Sequence, residues 1–249
     1  MKPVKQPKQS KQSKQSKQPK KSVRAMQPMK ITAYLLDGRI AGTEPYFPLD
    51  SILAAEWIRR QRPDCYYEPP PPGTKDGWIE APLPLERRGA GSQWYYACSF
   101  NQAQPITEYV TYWHRRFDDH MERYIDFKGR RGKVSEQSGR FKAYRMPLNI
   151  LLLPCLEWYA LGDIEAVRDL CQEVAAIGKK PAQGYGIVSE WEVMPWVADW
   201  SEMGPQGELT RAVPELPAGA AAHKCRRRFY GLRPPYWKRE NQKEVWMPA

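Results

Sequence analysis

Residues 163–193, DIEAVRDLCQEVAAIGKKPAQGYGIVSEWEV, hold the reading on which the fold turns. Ile164, Val167, Leu170, Cys171 and Val174 recur three or four positions apart behind Asp163, whose carboxylate can accept from the first free backbone N–H groups. That spacing predicts a helix from Asp163 to about Ile177. The closing IVSEWEV alternates and predicts a strand over 187–193. Between them, Gly178-Lys179-Lys180-Pro181-Ala182-Gln183-Gly184-Tyr185-Gly186 continues neither element. Its glycines let the backbone turn tightly and approach a phosphate, Lys179 and Lys180 supply charge, and Tyr185 offers a stacking face. A glycine-rich helix-to-strand connection is, as composition, ordinary. The loop is neither a P-loop, which follows a strand and ends in GK[ST], nor a dinucleotide fingerprint.

Outward from this loop the elements alternate. Met29–Asp37 reads as a strand with Ile31, Ala33 and Leu35 on one face. Asp50 or Ser51 caps a helix over about 51–62, which Arg59 and Arg60 close favourably for its dipole and Pro63 ends. Pro69 to Gly73 is a polyproline or loop stretch. Residues 78–85 and 93–100 read as strands, and Val110, Trp113, Phe117, Met121, Tyr124 and Ile125 are spaced as in a longer helix. Tyr144–Leu153 and Cys155–Leu161 are two further strands. The expected class is therefore α+β, compatible with the ferredoxin-like βαββαβ plan that RNA-recognition modules also use.

The chain has 249 residues and a formal net charge of +11. Residues 1–22 repeat lysine at every third position between Gln, Ser and Pro, a composition expected to stay disordered through residue 28. Eight of the positive charges lie there, which leaves +3 for the remainder (11 − 8). The tail is either a nonspecific polyanion tether or a solubilising extension. Five scattered cysteines with no CxxC pair argue against a disulfide framework and structural zinc, and for free thiols in a reducing cytoplasm. No apolar run approaches a membrane span.

Three further segments bear on function. Lys128 to Arg145 is a basic, Gly-punctuated excursion in which Arg130, Arg131, Lys133, Arg140, Lys142 and Arg145 could follow a phosphodiester backbone; the alternative is a solvated basic hairpin. Beyond Pro195 the periodicity dissolves, and residues 196–249 are expected as an irregular arm. Its Arg226, Arg227, Arg228 and Arg233, interleaved with aromatics, suit single-strand contact or docking on the protein's own core. His114 and His120 are the only residues suggesting ribonuclease chemistry. On one helix, six positions apart, they would face away from each other, and Asp118 and Asp119 likewise form no two-metal site. No metal or cofactor is expected.

The G-K-K-x-x-Q-G-x-G loop between a helix and a strand resembles the signature loop of the RAMP superfamily of CRISPR-associated proteins. Leu49-Asp50-Ser51-Ile52-Leu53-Ala54-Ala55 and Ser138-Gly139-Arg140-Phe141-Lys142-Ala143-Tyr144-Arg145-Met146-Pro147-Leu148 resemble the opening helix and central basic segment of one branch. That branch is the subunit capping the crRNA 5′ handle in type IV complexes. The resemblance spans about 29–194. It implies a ferredoxin-like, RRM-like RAMP domain with a basic thumb insertion around 127–145 and flexible tails. It also implies a subunit bound to crRNA beside a repeating backbone subunit and a large subunit, with target DNA in the assembled complex. Lys179, Lys180, Gln183, Gly184, Tyr185 and Gly186 would meet the handle, and the thumb cations would line its path. The competing expectation within the superfamily is an endoribonuclease acting on precursor crRNA through His114 or His120.

Overall fold

A computed structural model describes residues 25–42, 46–61, 80–128 and 132–249. The Lys-rich repeat, the proline run at 69–73, Cys65, and the candidate residues Arg130 and Arg131 lie outside them. The protein is mixed α/β, with several small antiparallel sheets and few helices.

The central strand is β1 (Gln27–Leu35), which begins two residues inside the expected tail. Met29, Ile31 and Ala33 are fully buried along it. It is flanked by β7 (Cys155–Gly162) and β8 (Val188–Pro195), both antiparallel. Helices α1 (Leu49–Gln61) and α2 (Ile164–Gln172) pack together, and Arg60 of α1 bridges Glu56 and Asp169. Trp158 is buried between these layers, donates its indole N–H to the Phe47 carbonyl at 2.7 Å and stacks on Trp191.

Helix α2 starts where expected, with Asp163 accepting from the Glu165 and Ala166 N–H groups. It stops at Gln172, short of Ile177, because the next residues find better partners. Val188 N–H donates to the Ala175 carbonyl and Ile177 N–H to the Gly186 carbonyl, so 175–177 zips onto the start of β8.

Three expectations fail for stated reasons. The helix over 110–125 is instead β5 (Thr107–Arg115) followed by a 3-10 turn over Asp119–Tyr124. Its β-branched and aromatic residues pair along nine positions with β6 (Tyr144–Leu152), from Thr107↔Leu152 to Arg115↔Tyr144. Sheet preference is realised only when such a partner exists, and the local spacing could not show one. Of the expected strand over 78–85, residues 80–85 are described and keep only an isolated Leu85↔Gly162 bridge; a short β3 (Arg87–Arg88) follows it, and 93–100 reduces to β4 (Tyr95–Tyr96). Pro82 and Pro84 lack N–H groups for a ladder. Residues 97–102 instead run along the outer edge of β7, through a Cys98↔Ala160 bridge and hydrogen bonds from Ser99 and Gln102 to the Tyr159 and Glu157 carbonyls.

The third concerns 196–249, which is ordered. β9 (Cys225–Gly231) and β10 (Gln242–Pro248) form a hairpin, and Leu209, Val213, Leu232, Val245 and Met247 build a second core around Tyr95 and Phe100. The core is assembled from distant segments, so no local periodicity announces it.

Fully buried Arg211 ties this second core to the rest. It donates to the carbonyls of Tyr96, Cys98, Ala212 and Leu232, and its guanidinium lies 4.6 Å from the Tyr95 ring centroid. Asp50, at the start of α1, is also fully buried and accepts from the Tyr236 hydroxyl at 2.8 Å. Burial pushes its carboxyl up to about 6, against the opposing pull of the Arg211 charge and the Tyr236 hydrogen bond. An unfolded aspartate titrates near ~3.9, so between these values the native state holds the extra proton. Stability is therefore expected to fall as pH rises from about 4 through about 6. Asp50→Asn should flatten that part of the profile in urea midpoints measured from pH 4 to 7. An unchanged slope would remove Asp50 as its source.

The second strand, β2 (Arg39–Ala41), pairs with β6, giving a sheet in the order β2-β6-β5. Its β5–β6 end projects as a two-stranded ribbon, and this is the element that positions the candidate site. No helix among the described residues is long and apolar enough to cross a membrane.

Candidate nucleic-acid interface

The glycine loop is fixed to the end of β2. Lys179 N–H donates to the Ala41 carbonyl at 2.8 Å and Gly186 N–H to the Arg39 carbonyl at 2.7 Å. Two glycines are required by close approach. A Cβ at Gly178 would sit 2.6 Å from the Ala41 carbonyl oxygen, and one at Gly186 would sit 1.8 Å from that of Ile177. Gly184 differs: its φ is +86°, but a Cβ there would meet open space. Pro181–Gln183 forms a 3-10 turn after Lys180, which itself adopts φ +60°.

Because Gly184 is held only by its backbone conformation, side-chain bulk at that position carries no penalty of its own. Left-handed backbone costs an ordinary L-residue ~1–2 kcal/mol, less for Asn. Gly184→Ala should lower stability by about that amount, whereas Gly184→Asn should stay near wild type. Equal losses in the two variants, by chemical denaturation, would point to a contact with the glycine rather than to strain.

The loop side chains reach the ribbon. The Lys180 ammonium lies 3.2 Å from the centroid of the Trp113 ring on β5. Tyr185 packs against Ala41, Leu148 and Ile150, with the Arg39 guanidinium 5.5 Å from its ring. Antiparallel register puts Tyr109, Thr111, Trp113 and Arg115 on one face of the ribbon with Ile150, Leu148, Met146 and Tyr144. Trp113 and Tyr144 rings are 5.1 Å apart, and Arg115 lies 5.9 Å from Tyr144. Loop and ribbon thus share a basic, aromatic face. Lys179, Gln183 and Tyr109 are exposed on or beside it.

The structure brings together only part of the expected set. Lys179, Lys180, Gln183 and Tyr185 share the loop. Arg145 pairs with His114 in register, on the opposite face of the ribbon from Trp113, where its guanidinium lies 3.7 Å from the Tyr112 ring. Lys133, Arg140 and Lys142 are exposed in the 116–143 excursion beyond the ribbon tip. That excursion is folded back by Glu136, whose carboxylate accepts from Phe117 N–H and whose carbonyl accepts from Ala143 N–H, and by packing of Phe117 on Phe141. His114 is on β5 and His120 in the 3-10 turn, so the argument that one helix separates them no longer applies.

In the C-terminal hairpin, Arg226 donates to the Tyr46 hydroxyl, and Arg227 lies over Trp246 and near Glu244. The Arg228 side chain is exposed and has no partner among the described residues. Arg233 is committed to packing: it lies 4.4 Å from the Trp94 ring and donates to the Ser92 and Trp94 carbonyls. Burial lowers its pKa, as expected for a cation held against the protein. The sequence reading missed Arg39, Tyr109 and Trp113 as members of the face. The run of aromatic and β-branched residues over 107–115 is the signal that contains Tyr109 and Trp113, whereas nothing local marks Arg39.

The family model described as "CRISPR type IV associated protein Csf3" matches residues 27–248. The chain belongs to that family, and so to a type IV CRISPR system. The match continues past residue 195 through the C-terminal hairpin, where the sequence resemblance had stopped. The search of curated proteins found no match.

Proposed function

We propose that this protein is an RNA-binding scaffold subunit of a type IV CRISPR ribonucleoprotein. It anchors the 5′ handle of the crRNA and helps position target DNA, on the PAM side, with the large subunit. The observation that carries the reading is the clasp of Lys180 on Trp113, which joins the glycine loop to the ribbon as one basic-aromatic surface. Such surfaces suit single strands, because cations follow the phosphates while each base offers a ring face for stacking. Lys179 and Lys180 meet phosphates, Gln183 hydrogen-bonds a base or ribose, and Tyr185 and Tyr109 stack. Lys133, Arg140 and Lys142 extend the charge along the thumb, and Arg145 serves its far face. The repeating backbone subunit and the large subunit flank this protein.

A ferredoxin-like, RRM-like plan is supported by the order β7-β1-β8, two helices, and the 97–102 segment lying where a fourth strand would sit. The protein acts here by binding, without cutting RNA itself. His114 lies on the ribbon face opposite Trp113 and Lys180, beside Arg145 and off the glycine-loop surface.

The test is repeat RNA incubated with the purified protein, with and without divalent metal. Binding with intact RNA is expected. Site-specific cutting that is lost in His114→Ala or His120→Ala would replace this reading with the endoribonuclease. Failure to bind repeat RNA in preference to a scrambled strand would remove the handle assignment.

A further inference from the structure

We infer that a second stretch of the same RNA strand lies in a groove between the glycine loop and the C-terminal hairpin, with Arg228 as its central phosphate contact. The inference rests on the RNA-binding reading above and extends it to a surface on the far side of the loop.

The groove consists of two recesses that share one side chain. The first is lined by Ala41, Gly42, Phe47, Pro48, Gly178, Lys179, Tyr46 and Tyr230. The second continues past Tyr46 to Phe100, Asn101, Gln102, Gln104 and Arg226. Lys179 therefore stands at one end, with its backbone pinned to Ala41 and its side chain exposed and without a partner among the described residues. Arg226 stands at the other, its guanidinium held on the Tyr46 hydroxyl at 2.6 Å.

Strand periodicity places Arg226, Arg228 and Tyr230 on one face of β9. Tyr230 lines the first recess and Arg226 the second; Arg228 lines neither, but stands between these two along the same strand face. Its backbone pairs with Val245, while its side chain is exposed and makes no hydrogen bond, ion pair or ring contact with any described residue. The aromatic wall is built, with Tyr46 packed on Phe100 at 5.1 Å and on Tyr230 at 6.1 Å. Cations at both ends and in the middle, with fixed rings and amides between, form the pattern that takes a single strand: phosphates on the cations, a base against the rings.

A plainer explanation is that arginines on an edge strand guard against edge-to-edge pairing. The two roles differ in sign requirement. A guard works with either charge, whereas a phosphate contact needs a cation.

The experiment uses the full chain and single-stranded RNA of the repeat sequence, with a benzoylphenylalanine crosslinker placed at Arg228 or, separately, at Tyr109. Crosslinking from both positions is expected. Crosslinking from Tyr109 alone overturns the groove and leaves the proposed function standing. Crosslinking from Arg228 alone, or from neither, overturns the shared path together with the ribbon assignment. Arg228→Ala is expected to reduce the slope of log K against log salt by ~0.7, the loss of one single-strand phosphate contact. Arg228→Glu should weaken binding further with no change in oligomeric state by light scattering. Unchanged affinity and slope in both variants would assign Arg228 to edge protection instead.

Discussion

Replacing Trp113 by alanine is expected to weaken binding of single-stranded repeat RNA by ~5–150-fold, or ~1–3 kcal/mol, the range for removing one aromatic ring from a single-strand surface. The substitution acts twice. It removes a ring from the shared face, and it frees Lys180, whose ammonium is held 3.2 Å from the ring centroid. Lys180 would then bring the same charge to the RNA from a wider range of positions, so its contact becomes less favourable through entropy rather than through charge. Trp113→Phe keeps an aromatic face and should recover most of the affinity. Trp113 is only half-buried on a projecting ribbon, so the fold should tolerate both changes. Equilibrium binding at one fixed salt concentration, with circular dichroism as the folding control, decides the matter. Equal affinity for wild type and Trp113→Ala would sink the loop-and-ribbon surface as the RNA site.

The second large effect is on stability. Arg211→Leu is expected to destabilise the protein by ~3–5 kcal/mol, as when one partner is removed from a buried charge pair. Four carbonyls, of Tyr96, Cys98, Ala212 and Leu232, would lose the guanidinium as a donor, and the buried Asp50 would lose the nearby positive charge. Arg211→Lys should recover only part of the loss, since an ammonium cannot reach carbonyls spread around a planar guanidinium. In the double variant Arg211→Leu/Asp50→Asn the total should be smaller than the sum, because the stranded carboxylate is gone. Urea unfolding of the four proteins measures the coupling, and strict additivity would show that the two groups act independently.

Much of the α/β body was legible because its signals are local. The Asp163 cap, the three-and-four spacing behind it, and the alternation at 187–193 each report on neighbours along the chain, and the structure has a helix and a strand there. The ribbon was misread because β5 carries apolar residues that also fit a helical spacing. The choice between the two was made by nine residues of β6, whose first paired position lies 29 residues further on (144 − 115). The second core was missed for a related reason. Tyr95, Phe100, Val213, Leu232 and Val245 come from four separate segments, none long enough to show a period.

By itself, the sequence determined which residue types are available to the site: a glycine loop that can approach a phosphate, lysines on it, and a basic excursion after it. Backbone freedom at glycine and charge at lysine are properties of the residues and need no partner. Only the tertiary structure decided which of them meet. It set Lys180 on Trp113, turned Arg145 to the other face, spent Arg233 on Trp94, and brought Arg226 to the groove that begins at Lys179. Those choices follow from strand register and burial, which depend on contacts between residues far apart in the chain, and a one-residue slip in pairing would have reversed every face.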